Sequence, residues 1–176
     1  MKKFCISFLI LAIIFLSVIG VSLSNGQTHT EYLRIHIRAN SNLQIDQTVK
    51  YLVKDAVVDY LTPFIADCKT KAQAESMLNG KLSQISQVAD GVLAQNGFSY
   101  TAKSSIKIEE FPTRFYGEYE LEKGFYDALI IELGDGDGDN WWCVVYPPLC
   151  FTGDGHGYVY KSKLKEITDS FFKKEK

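Results

Sequence analysis

Lys2 and Lys3 precede Phe4–Leu23, a run with no charged side chain, and no other feature constrains the chain as strongly. The run is about as long as the ~20 residues that cross a hydrocarbon core. Cations ahead of an apolar stretch are the layout of an export signal, because the positive end stays cytoplasmic while the apolar part enters the bilayer. Ser22 and Ser24 are small residues at a spacing that a signal peptidase accepts. Residues 1–24 are therefore expected to form an apolar helix that is either a cleaved signal peptide or a retained membrane anchor, and the length leaves both open. Cys5 precedes the run, whereas a lipidated cysteine would follow it. Residues 25–31 are polar and read as a linker. Residues 32–176 are expected to be one globular domain outside the cytoplasm, with length enough for a real core.

The formal net charge of −2 carries no basic excess, which argues against nucleic acid as a partner. Three cysteines remain beyond Cys5. Cys143 and Cys150 flank Pro147-Pro148, where the chain can turn back, and a disulfide is permitted outside the cytoplasm. Cys68 would then be unpaired, and three buried free thiols are the competing reading.

Leu33, Ile35 and Ile37 alternate with Arg34, His36 and Arg38, the pattern of a half-buried strand. Asn40-Ser41-Asn42 ends it, and Ser41 and Gln44 stand at capping-box spacing. Ile45, Val49, Leu52, Ala56 and Tyr60 then recur at helical steps, with Pro63 expected to end or kink the helix. Leu78, Leu82, Ile85, Ala89 and Val92 mark helix over 71–95, which Asn79-Gly80 is placed to split, and Asn96-Gly97 is a helix stop. Even-numbered apolar residues from Phe98 to Ile108 predict a strand or hairpin closed by Pro112. Phe125–Leu133 is apolar on both faces apart from Asp127 and Glu132, as a central strand would be. Trp141–Tyr146 is a further strand, stopped by prolines. Leu164, Ile167 and Phe171 define a short terminal helix. This order predicts an α+β two-layer sandwich, with helices packed on one face of a mixed sheet.

Candidate chemistry is sparse. Asp135-Gly136-Asp137-Gly138-Asp139 places carboxylates two residues apart, as a calcium loop does. However, Asn140 stands where such a loop needs its glycine, and Tyr146 where it needs a bidentate glutamate. A solvated connection is the favoured reading, and no metal or cofactor is expected. Cys150 with His156 would make a thiol nucleophile and base, yet the cysteine follows two prolines and opens no helix. His36 is the remaining candidate base. Of Trp141 and Trp142, adjacent on a strand and so facing opposite sides, one can serve as a partner anchor. The residues alone favour binding or signalling over catalysis by elimination.

Several segments carry a resemblance. They are Arg34-Ile35-His36-Ile37-Arg38-Ala39-Asn40-Ser41, Asp46-Gln47, Val53-Lys54-Asp55-Ala56-Val57, Phe111-Pro112-Thr113-Arg114, Tyr116-Gly117, Gly124–Leu129 and the run Asn140–Phe151. In that order they resemble the stage II sporulation protein R family of endospore-forming bacteria. The resemblance implies a signal that is not an enzyme. It would be secreted from the forespore into the space between two membranes, where it activates a membrane-embedded aspartic protease of the mother cell. That protease then removes the pro-sequence of sporulation sigma factor E. His36, Arg38, Arg114, Trp141 and Trp142 are the residues expected to contact the protease's extracytoplasmic region. The alternative is an exported hydrolase using His36 with a carboxylate.

Overall fold

The computed structural model describes residues 28–117, 119–151 and 158–174. Phe4–Leu23, with the signal or anchor expected there, and His156 lie outside the described residues. Among the described residues no helix is long and apolar enough to cross a membrane.

The elements run β1 (Thr28–Arg38), α1 (Gln44–Ile65), α2 (Lys71–Asn79), α3 (Leu82–Gln95), β2 (Ala102–Phe111), β3 (Arg114–Tyr116), β4 (Tyr119–Leu121), β5 (Gly124–Leu133), β6 (Asn140–Tyr146), a 3₁₀ turn (Leu149–Phe151) and α4 (Tyr158–Lys174). The main sheet has the order β2-β5-β1-β6, and β3-β4 is a separate hairpin. β1 and β5 are parallel, whereas β6 on β1 and β2 on β5 are antiparallel. The sheet is therefore mixed, and the fold is α+β as expected. Parallel neighbours need a crossover, and α1–α3 lie within the connection from β1 to β5.

Those helices cover the face made by Leu33, Ile35, Ile37, Leu129, Ile131, Leu133, Cys143 and Val145, all fully buried. The buried row of α1 is Val49, Val53, Val57, Leu61 and Ile65, an i, i+4 line whose side chains contribute about 1.5–3 kcal/mol each. This corrects the expected stripe: Ile45 and Leu52 are 61% and 42% exposed. Pro63 does not end α1, which continues to the fully buried Ile65. Pro63 deprives only the Asp59 carbonyl of its helical donor, and Asp59 is exposed to water. Ser41 does not cap α1 either. The N-cap is Leu43, and Ser41 instead donates to the Asp46 carboxylate.

The opposite face of the sheet is covered as well. Tyr32, Phe111, Leu121, Tyr126, Ala128, Ile130 and Val144 form a second buried cluster. The β3-β4 hairpin and the C-terminal end of α4 close over it, with Tyr119 stacked on Phe172 at 3.9 Å and Tyr32 against Phe171 at 5.6 Å. β1 is therefore not half-buried: Arg34 and His36 are 0% and 1% exposed. It also begins at Thr28, inside the expected linker, because its first residues pair with Phe125 and Tyr126 across a register shift. The terminal helix is long, not short, and Phe171 packs against both clusters. Cys143 and Cys150 are disulfide-bonded with Cα atoms 6.3 Å apart, and Cys68 is free and buried.

β5 and β6 flank β1, so their connection must cross the end of β1, a span of about 10 Å. The chain leaving β1 passes beneath it. All six amides of Gly134–Asp139 are satisfied: Gly134 by Thr101 O, Gly136 by Leu133 O, Asp137 by Asn40 O, Gly138 by Ala39 O, and Asp135 and Asp139 by the side-chain oxygens of Asn40 and Asn42. The close approach explains the glycines. A Cβ on Gly138 would collide with Ser41 O, and one on Gly134 with Asn40 Oδ1. Among the described residues no cluster of acidic, histidine or cysteine side chains fits a metal ion.

Gly138→Ala is expected to destabilise the domain by about 3 kcal/mol or more, since backbone must move. Gly91→Ala, in α3 with nothing within 4 Å of the added carbon, is expected to stabilise by about 0.5–1 kcal/mol. Denaturant melts of both variants check the pair, and a neutral Gly138→Ala would contradict the crossing geometry.

Candidate functional site

Alternation along β1 sends Arg34, His36 and Arg38 to the face of the second cluster, and each meets a different environment. His36 lies directly opposite Trp142 on β6, and their rings stack at 3.7 Å with 22° between planes. Phe111 stands edge-on to both, at 5.9 Å and 4.7 Å. On the other side His36 Nδ1 is 3.0 Å from Glu109 Oε2. The second carboxylate oxygen of Glu109 accepts from Arg38 Nη2, and Arg38 Nη1 donates to Glu132 Oε1 at 2.8 Å. Three strands thus contribute to one row: Glu109 from β2, Glu132 from β5, His36 and Arg38 from β1.

Burial among aromatic rings disfavours the imidazolium, and the Arg38 cation reinforces this, so the His36 pKa falls from 6.5 to about 4. The Asn140 side chain and the Glu132 carboxylate pull the other way but do not outweigh burial. Neutral His36 donates from Nδ1 to Glu109, which leaves Nε2 as an acceptor. That atom is buried and has no hydrogen-bond partner.

Arg34 is held differently. Its guanidinium lies 4.2 Å from the Phe111 ring centroid, 4.8 Å from Tyr126 and 5.7 Å from Tyr116. Nη2 donates to Tyr116 Oη at 2.6 Å, while Nε and Nη1 have no partner. No carboxylate among the described residues pairs with it. Desolvation lowers its pKa, and Tyr116 opposes that shift. Cation–π attraction, about 2 kcal/mol for a desolvated contact, is what compensates the buried charge.

A second polar node anchors the crossing loop. Asp46, 3% exposed, accepts from Ser41, from Asn40 Nδ2 at 3.0 Å and from Tyr100 Oη at 2.6 Å. Burial alone would raise its pKa, but these three donors outweigh it and hold the carboxyl below the usual range. Lys50, 1% exposed, donates to Asp139 O at 2.9 Å. The turn, the helix start and the loop are thus one bonded unit.

Arg34, His36, Arg38, Asn40, Ser41, Asp46, Phe111, Tyr116, Tyr126 and Trp142 fall in the segments that carry the sequence resemblance, whereas Glu109, Glu132, Tyr100, Lys50 and Asp139 do not. The sequence model described as Stage II sporulation protein R (spore_II_R) matches residues 29–156. The chain belongs to the stage II sporulation protein R family. It is 34% identical over 131 residues to "Stage II sporulation protein R" of Bacillus subtilis (strain 168), an alignment covering 74% of this chain and 58% of that protein. The match thus spans less than two thirds of the relative's length. No solved structure matches the chain.

For this family member, the structure brings His36, Arg38 and Trp142 together and leaves Trp141 and Arg114 elsewhere. Trp141 faces the helices and packs against their core, with Lys54 Nζ 5.9 Å from its ring. Arg114 is exposed on the hairpin. His36, expected on a solvated strand face, is sealed. Cys150 is consumed in its disulfide and so is no nucleophile. Sequence reasoning missed Arg34, Glu109 and Phe111 as members of the row. The signal for Glu109 was its two-residue spacing from Phe111, which puts both on one face of β2.

The depressed His36 pKa has a definite sign. Between about pH 6.5 and 4 the unfolded chain binds a proton that the folded chain refuses, so stability falls as pH falls through that window. The full effect is roughly 3 kcal/mol. His36→Gln keeps a donor for Glu109 and does not titrate. The melting temperature of the native chain should therefore drop more between pH 7 and 4 than that of His36→Gln, and parallel profiles would contradict a neutral, buried His36.

Proposed function

We propose that this chain is an exported sporulation signal, secreted from the forespore into the intermembrane space. There it activates a membrane-embedded aspartic protease of the mother cell, and the protease processes pro-sigma-E. Family membership over residues 29–156 carries the reading, and three features support it. The run Phe4–Leu23 suits export. The Cys143–Cys150 disulfide suits an oxidising compartment. The third is that the buried His36, Asp46 and Lys50 bond to groups within the domain and so do not offer an open catalytic centre. Activation then requires only that the chain bind one conformation of the protease better than the other.

The hydrolase alternative has one observation in its favour, the His36–Glu109 pair at 3.0 Å. That pair resembles a base and its orienting carboxylate. However, the free nitrogen of His36 lies under Trp142 and Phe111, where no substrate proton can be reached without moving both rings.

Co-expression of the full chain, the protease and the sigma-factor precursor in a host that does not sporulate separates the two. The signalling reading expects precursor cleavage only when the chain is present, and expects His36→Gln to retain it. Cleavage that ignores the chain would sink that reading. Hydrolysis of peptides or cell-wall fragments by the purified chain, abolished in His36→Ala, would establish the rival.

A further inference from the structure

The β3-β4 hairpin and α4 close over the second cluster without filling the space between them. They leave a cavity of about 500 Å³, with Tyr116, Tyr119, Leu149, Lys165 and Asp169 in its lining. A cavity of this size suits a small ligand. Tyr119 stacks on Phe172 at 3.9 Å, and together with Leu149 it gives the cavity apolar surface. Three polar side chains share the lining, and each has bonding capacity that the domain does not use.

Tyr116 is the first. Its oxygen accepts from Arg34 Nη2 at 2.6 Å, and burial raises its pKa, so the hydroxyl keeps its hydrogen at neutral pH. That hydrogen meets no acceptor among the described residues. The Arg34 cation behind it polarises the O–H and makes it a stronger donor to an anion. Lys165 and Asp169 are the other two, and both are exposed. They stand four residues apart on α4, with about 6 Å between Cβ atoms. Even so, they form no ion pair with each other or with another described side chain. Lysine ahead of the acidic residue is the less favourable order for such a pair.

We propose that this cavity binds a small zwitterion, a free amino acid or a dipeptide, with its carboxylate held by Lys165 and Tyr116 and its ammonium by Asp169. One ammonium and one hydroxyl match the two oxygens of a carboxylate, whereas a phosphate would bring a third oxygen without a donor. A ligand of single charge would leave either Lys165 or Asp169 unmatched. The apolar part of the ligand lies against Tyr119 and Leu149. Bound in this way, it bridges β3 to α4, the two elements that close over the second cluster. The site is separate from the signalling reading and does not depend on it.

Calorimetric titration of the full chain in detergent tests the site, with leucine, phenylalanine, alanylalanine and leucylphenylalanine as probes. At least one of the four should bind saturably and raise the melting temperature. The N-acetyl form and the C-terminal amide of that probe should each bind about tenfold more weakly, the worth of one charge-assisted hydrogen bond. Lys165→Ala and Asp169→Asn, both at exposed positions, should melt like the native chain, and each should weaken the free probe about tenfold. Lys165→Ala should then no longer distinguish the amide from the free acid, and Asp169→Asn should no longer distinguish the acetylated form from the free amine. Saturable binding by none of the four probes overturns the proposal, as does binding that both variants leave intact. Tighter binding of phosphoethanolamine than of every probe also overturns it, because the anionic group would then be a phosphate.

Discussion

A single topological constraint governs much of this domain: β5 and β6 lie on opposite sides of β1, so their connection must cross the strand that it flanks. The crossing brings two backbone segments within van der Waals contact, and every amide of the crossing chain must be satisfied there. Asn40 and Asn42 provide side-chain oxygens for this, and Ala39 and Asn40 provide carbonyls. Asp46, buried beneath, binds Asn40, Ser41 and Tyr100 and so holds the turn from which α1 departs. The direction of α1, and with it the helix layer, depends on this bonded unit. The loop's aspartates are incidental to the crossing, and the glycines between them are what the close approach demands.

The polar residues of β1 follow from the same topology. As an interior strand with both faces covered, β1 would ordinarily be apolar throughout. Its alternate positions carry Arg34, His36 and Arg38 instead, and each is accommodated separately. Aromatic rings surround Arg34, a stacked tryptophan covers His36, and two glutamates hold Arg38. An unpaired charge in such a place costs several kcal/mol, which limits the row to substitutions that keep the whole set matched. A network of this kind favours one register of β1 over its neighbours, because a slip of one residue would drive all three into the aliphatic helix face.

The strands and helices were largely legible in the sequence, since β5, β6 and the split at Gly80 follow from hydrophobic period and turn residues. Three features were not. The burial of Arg34 and His36 depended on the β3-β4 hairpin and on Phe171 and Phe172, which meet β1 only through long-range packing. The buried line of α1 was misplaced by one position because Ile45 and Leu52 satisfy the helical period as well as Val53 and Val57 do. Period identifies an apolar sector, and only the width of the available core decides which part of it is covered. Likewise the acidic loop shows its charges in the sequence and hides its function in its amides. The signalling role proposed here rests on family membership, and no spacing of residues on this chain expresses it by itself.

What emerges is a domain in which Arg34, His36, Asp46 and Lys50 are buried, while its other charged groups, such as Arg114, Asp135 and Asp137, face outward. Such a domain can signal only by presenting a surface that is already formed. Hydrogen–deuterium exchange of the full chain, alone and reconstituted with the membrane protease, tests this most directly. New protection is expected at exposed residues of the domain, with exchange at residues 34–38 and 105–111 unchanged. Loosening of residues 34–38 or 105–111 on binding would contradict it.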